Sequence, residues 1–170
     1  MRAFWIVAVL STPNIANADL LRDLKLEGLY GKLGVESGYA FSRERGGSPH
    51  VGLVGTFVHM NDELEWHGIQ ADFTIDGNGT NKAGGRWSIG PEAGVAIYGV
   101  DLSYWGQRVD TGFHHGLQVR AKLTVGVAAI YFRAAHAMVN ADETSFDVGL
   151  QLKAPVFMKR KKRPLAVAVE

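Results

Sequence analysis

His136, in the stretch Arg133-Ala134-Ala135-His136-Ala137-Met138-Val139-Asn140, is the residue nearest to a catalytic role. An imidazole is a good general base at neutral pH, but acyl transfer also needs a nucleophile and a group that orients the base. Met138 stands two residues on, where a strand returns to the same face, and offers no nucleophile. Without a nucleophile a lone His forms no acyl intermediate, and an interfacial His among small residues is the simpler reading. His114-His115 offers two imidazoles, yet neighbours on a strand point to opposite faces and do not share a metal. Asn78-Gly79-Thr80 fits a glycosylation sequon but reads as turn chemistry, and Gly77-Asn78-Gly79 opens no helix that could bind phosphate. Lys159-Arg160-Lys161-Lys162-Arg163 is the densest charge run, a solvated tail or a contact for anionic lipid or cell-wall polymer. No catalytic residue, metal or cofactor is expected.

The bulk composition narrows the classes further. The 170 residues fit one domain, and 18 Lys+Arg against 17 Asp+Glu leave a net charge of +1. A charge so close to zero argues against nucleic acid as a partner, since phosphate binding needs a basic surplus. There is no Cys, which removes disulfides and thiolate ligands. Stability must then come from hydrogen-bond closure and apolar burial.

The N-terminus has the order of parts of a secretory signal. Arg2 is followed by the apolar run Ala3–Leu10, the breaker Pro13 and the small-x-small site Ala16-Asn17-Ala18. The run is too short to cross a bilayer as a helix, which takes about 20 residues. Residues 1–18 are read as the signal and 19–25 as a short periplasmic lead.

From residue 26 to 157 the dominant period is two, the period of a strand. Leu29, Gly31, Leu33, Val35, Ser37, Tyr39 and Phe41 share one face, opposite Lys32, Gly34, Glu36 and Gly38. The same split recurs at Ile69–Ile75, Trp87–Ile97, Leu117–Val125 and Phe146–Ala154. Weaker segments at His50–Met60, Val100–Val109 and Ala128–Val139 bring the total to eight strands. Strands of this length suit a tilted bilayer crossing of about 9–11 residues. Ser42–Pro49, Gly77–Gly85, Asp110–Phe113 and Asn140–Glu143 are the longer connections and fall at one end. Asn61-Asp62, Tyr98-Gly99 and Gly126-Val127 are tight turns at the other, as in outer-membrane barrels. The predicted class is all-β, an eight-stranded antiparallel up-and-down transmembrane β-barrel, with residues 158–170 as a basic C-terminal tail.

A soluble lipocalin-like barrel shows the same alternation with the opposite polarity. The polar face here is rich in small residues, and its charges are mixed in sign. Lys32, Arg86, Arg120, Lys122, Arg133 and Lys153 meet Glu36, Asp72, Asp76, Glu92, Asp101 and Asp147, as a buried network requires. Leu33, Val35, Phe73, Val95, Val119, Leu123, Leu150 and Leu152 are expected to face lipid. Tyr39, Phe41, Trp87, Tyr104 and Phe146 gather near the loop end as an aromatic girdle. Two features strain the pattern. Pro91 sits within a strand and needs a bulge or break, and His50–Met60 is apolar on both faces.

In topology and alternation the segment resembles the small outer-membrane barrel group represented by the OmpA transmembrane domain and OmpX. That resemblance implies a Gram-negative outer membrane, with lipids, lipopolysaccharide and the barrel-assembly machinery as partners. It also implies a non-enzymatic protein with a side-chain-filled lumen, acting through external loops in adhesion, recognition or envelope integrity. The stretch around His136 is similar to the lipid A deacylase barrels, which implies a membrane-embedded lipid-modifying enzyme as the alternative; a soluble secreted ligand-binding barrel is the third reading. The small residues at 16 and 18 predict processing between Ala18 and Asp19. N-terminal sequencing of envelope-derived protein should start at Asp19, and a mature chain retaining Trp5 would contradict the assignment.

Overall fold

A computed structural model describes residues 27–43, 46–76, 85–109, 112–138 and 144–160. The predicted signal segment, Asn78-Gly79-Thr80 and the tail beyond Arg160 lie outside these. Eight strands follow one another: β1 (Gly28–Ser42), β2 (Gly46–Met60), β3 (Glu65–Asp76), β4 (Arg86–Val95), β5 (Tyr98–Val109), β6 (Gly112–Val125), β7 (Ala128–Ala137) and β8 (Thr144–Arg160). Each pairs antiparallel with its sequence neighbours, and β8 closes on β1. The sheet therefore has no open edge, which is the condition for β-structure in hydrocarbon.

Inside and outside follow from the alternation. Leu33, Leu53, Ile69, Val119, Ile130 and Leu150 are among a belt of exposed apolar side chains, while Glu36, Gln70, Asp72, Arg120, Arg133 and Gln151 are buried. A soluble barrel would have these two sets exchanged. An apolar outer surface around a polar interior is instead the polarity of a membrane-spanning barrel. β2, apolar on both faces in sequence, resolves the same way. Val51, Leu53 and Phe57 point out, and Val54 and Val58 are buried within.

Several boundaries differ from the sequence reading. β2 starts at Gly46 because residues 46–50 pair with β1, so Ser42–Pro49 is not a long loop. Likewise β6 starts at Gly112, which shortens the connection expected at Asp110–Phe113. The fourth strand ends at Val95, and the turn is Ala96-Ile97 rather than Tyr98-Gly99, with Ala96 at φ 51°. Here Tyr98 already pairs with Val95 and Leu123, and that ladder overrides the turn preference of Gly99. The first tight turn is wider than Asn61-Asp62. The Asn61 side-chain oxygen accepts from the backbone N–H groups of Glu63 and Glu65 at 3.1 and 2.8 Å, and Leu64 turns the chain at φ 63°. The last strand runs past Phe157 to Arg160, so Met158, Lys159 and Arg160 belong to the barrel rather than to a tail.

Each described strand proline sits where its missing N–H does least harm. Pro49 lies on the part of β2 that pairs with β1 alone. Pro155 adjoins a register shift between Gly31 and Lys32 that leaves Val156 as the extra residue. At Pro91 the β4–β5 ladder lapses between the pairs Ile89–Tyr104 and Glu92–Asp101 and resumes in the same register, a break without a bulge.

The polarity gives a direct test of orientation. Nitroxide labels at single cysteines replacing Val35, Val119 and Leu150 should collide with dissolved oxygen in the bilayer and be shielded from a water-soluble nickel chelate. Shielding from both quenchers at all three sites would mean an apolar interior and contradict the fold.

Candidate functional site

Inward-facing positions of β1, β3, β4, β5, β6, β7 and β8 converge on one buried polar cluster. Arg120 of β6 lies at its centre and is wholly buried. Its guanidinium faces Asp72 of β3 at 2.5 Å, Glu36 of β1 at 3.2 Å and Asp101 of β5 at 3.6 Å. Arg133 of β7 is bonded through Nε to Asp147 of β8 and lies 3.8 Å from Glu36 and 3.9 Å from Asp72. Arg86 of β4 reaches Asp147 at 3.7 Å and donates to the Gln118 side-chain oxygen at 2.6 Å. Lys122 contacts Glu92 at 2.5 Å and Asp101 at 3.1 Å. Lys153 donates to Gln70 at 3.2 Å, and Lys32 is half-buried nearby on β1. The side chain of Asp76 lies outside those described.

Neutral groups complete the cluster. Ser88 donates to Asp72 at 2.7 Å, and the Gln151 amide donates to Glu36 at 2.7 Å. Tyr131 stands between the two central arginines, with Arg120 and Arg133 at 5.2 and 5.8 Å from its ring centre. Its hydroxyl lies 2.6 Å from His50 Nε2. Room for that hydroxyl depends on glycine, since a Cβ at Gly38 or Gly149 would come within 2.9 or 2.6 Å of it. Trp105 lies under Arg86 at 4.7 Å and donates its indole N–H to the Leu117 carbonyl at 3.2 Å. The sequence reading missed Tyr131, Trp105 and His50. Phase would have found the first two, because Tyr131 lies two residues from Arg133 and Trp105 four from Asp101.

The outer surface carries the remaining sequence candidates. Leu33, Val35, Phe73, Val95, Val119, Leu123, Leu150 and Leu152 are all exposed there. Tyr39, Phe41, Trp87, Tyr104 and Phe146 lie toward the loop end. Tyr39 packs on Phe41, Trp87 on Tyr104, and Phe146 on Phe132 at 6.2 Å. Phe113 and His115 extend this band through Tyr104. His114 and His115 pair with Gln107 and Gly106, on opposite phases, and the described residues hold no group of three potential metal ligands. His136 faces outward beside a shallow depression lined by Leu102, Leu117, Val119 and Ala134. Its Nδ1 lies 3.1 Å from the hydroxyl of Thr144, its cross-strand partner.

Chemically, the cluster binds the barrel to itself. Three arginines hold carboxylates from four strands, and all of these side chains are buried. Arg120→Ala would leave several carboxylates facing each other and should destabilise the folded barrel by about 3–5 kcal/mol. Arg120→Lys should also lose stability, because one ammonium does not reproduce a fork that faces three acids. Urea titration in lipid vesicles measures both, and an unchanged midpoint for Arg120→Ala would mean that the cluster does not bear on folding.

No protein-family profile and no curated protein sequence matches the chain. Among solved structures it is similar to Neisserial surface protein A, with a TM-score of 0.54 and 14% identity over 75% of this chain and 96% of that one. It also aligns with Ail, the attachment invasion locus protein of Yersinia pestis, at a TM-score of 0.38 and 10% identity, over 75% and 99% of the two chains. At these identities the likeness speaks to the fold. The chain has the fold of the small eight-stranded outer-membrane β-barrels.

Proposed function

We propose that this chain is an integral outer-membrane protein of a Gram-negative envelope, without enzymatic activity, that acts through its external loops in adhesion, recognition or envelope integrity. The observation that carries the reading is the division of labour among side chains. Outward positions are apolar, as contact with lipid requires, and most inward polar groups bond to one another. An eight-stranded lumen filled by side chains leaves no diffusion path for solutes. What remains free for recognition is the loop end. The likeness to a protein called a surface protein supports that reading. The signal segment would be removed on export. Lipids, lipopolysaccharide and the barrel-assembly machinery are the partners such a protein meets, and the basic residues from Lys159 onward would contact anionic lipid or cell-wall polymer on the periplasmic side.

The lipid-modifying alternative gains one feature from the structure. Thr144 supplies a hydroxyl within reach of His136, where Met138 supplied none. However, the hydroxyl meets Nδ1, and His136 has no carboxylate partner among the described residues to orient it. The non-enzymatic reading therefore stands ahead.

Envelope fractionation with a heat-modifiability gel tests the main reading. The unheated chain should be found in the outer-membrane fraction and migrate faster than the boiled chain. Lipid A from cells making the wild type or His136→Ala should have the same acyl pattern. Recovery from the periplasm without detergent, or loss of an acyl chain that depends on His136, would contradict it.

A further inference from the structure

Charge in the lumen is segregated along the barrel axis. Around and above the centre, Arg86, Arg120 and Arg133 face Glu36, Asp72, Asp101 and Asp147. Toward the short turns lie Lys32, Lys122 and Lys153, with Glu92 as the carboxylate wholly their own. The other acid in reach is Asp101, whose Oδ2 is shared between Lys122 at 3.1 Å and Arg120 at 3.6 Å. With Asp101 counted beside Lys122, its nearer partner, the three arginines meet three acids, and the three lysines meet two, so the second half has one base too many.

The geometry of the second half is unusual in itself. The ammonium groups of Lys122 and Lys153 both donate to one neutral oxygen, Gln70 Oε1, at 2.9 and 3.2 Å. Two cations are thus gathered at a single amide. Neither Lys153 nor Lys32 has a carboxylate within ion-pair distance among the described residues. Lys32 lies diagonal to Lys153 across the β1–β8 ladder, where Lys32 pairs with Pro155 and Gly34 with Lys153. Gln70 is buried to 1% exposure, and its amide nitrogen, a donor, has no hydrogen-bond partner. Trp66 walls the chamber, with Lys122 at 5.8 Å from its ring centre. A Cβ at Gly94 or Gly99 would approach that indole to 2.4 or 2.5 Å, so glycine there keeps the ring in place. Lys32 and Lys153 are half-buried rather than sealed, so both remain within reach of solvent.

We propose that this chamber is a binding site for a small oxyanion of the phosphate or carboxylate type, held by the ammonium groups of Lys32 and Lys153 and by the free N–H of the Gln70 amide, with Lys122, whose donors are taken by Glu92, Asp101 and Gln70, adding its charge alongside. All of these groups are donors. Lysine presents three donors on a compact charge and is well suited to such a ligand. A bound anion supplies the negative charge that this half lacks, in a medium where uncompensated charge is expensive. The lysines are partly exposed but lie on the inner face of the wall, a position that suits a free ion rather than a bilayer-anchored head group. This inference goes beyond the loop-based function and is independent of it.

The test uses the full mature chain folded in detergent. The temperature at which it loses its fast gel mobility is measured with increasing inorganic phosphate, against sodium chloride at matched ionic strength. Phosphate should raise the midpoint by several degrees, with a shift that grows with the logarithm of concentration, as linkage requires. Lys153→Met and Lys32→Met should each lose most of that shift. Phosphorus NMR of phosphate titrated with the wild type, which needs no variant to fold, should show line broadening that excess acetate or sulfate reverses. A wild type indifferent to phosphate in both measurements would overturn the proposal. So would a phosphate shift of equal size in Lys153→Met, or broadening unchanged by competing oxyanions.

Discussion

The guanidinium of Arg120 is the interaction on which the rest depends. It is fully buried and faces carboxylates from three strands, β1, β3 and β5, none of them a sequence neighbour of β6 except β5. Taking an arginine out of water is tolerable only when several acids meet it with good geometry. That condition spans the lumen, so it is satisfied only when the barrel has closed with the correct stagger. A one-residue slip of β6 would turn Arg120, Lys122 and Gln118 to the lipid and Val119 and Leu117 inward. The cluster thus specifies register as well as filling space, and Arg133 with Asp147 does the same for β7 and β8.

The outer wall needs no such particular pairing. Lipid chains fit any apolar surface, and the belt from Leu33 to Leu152 has only to be continuous. Its ends are marked by rings. Trp87, Tyr104, Phe113 and His115 pack at the loop end, while Phe57 stacks on Phe157 near the short turns. Trp87 and Tyr104, rings with a polar edge, are suited to a lipid–water boundary and so help to fix the depth of the barrel at the loop end. The same contrast explains where the backbone is irregular. The break at Gly90-Pro91 and the bulge at Val156 interrupt single ladders, and the closed circuit of strands tolerates them because neighbouring ladders continue.

The fold was legible because strand alternation survives in most segments of this sequence. Once one face of Leu29–Phe41 is apolar and the other carries Lys32, Glu36 and two glycines, an even number of such strands with tight turns leads to a closed barrel. Strand ends were less legible. Gly46-Gly47 and Gly99 look like turns locally, but cross-strand pairing outweighs local preference and draws both into strands. In the candidate site, positions could be assigned to a face by phase. Partners could not, since whether Arg120 meets Asp72 or Glu92 depends on the stagger around the barrel. The segregation of lysines from arginines is a property of that stagger and has no signature along the chain. The proximity of Thr144 to His136 was hidden for the same reason, as the two meet only across the β7–β8 ladder.

The central claim is that Arg120 and its carboxylates interact directly in a space dry enough for the coupling to be strong. A double-mutant cycle between Arg120→Ala and Asp72→Ala, read as unfolding free energy in lipid vesicles, measures that coupling. Strong non-additivity is expected, with a coupling of about 1.5 kcal/mol or more for a close, desolvated charge pair. Additive effects within about 0.5 kcal/mol would contradict it, and would mean that water fills the lumen and screens the charges from one another.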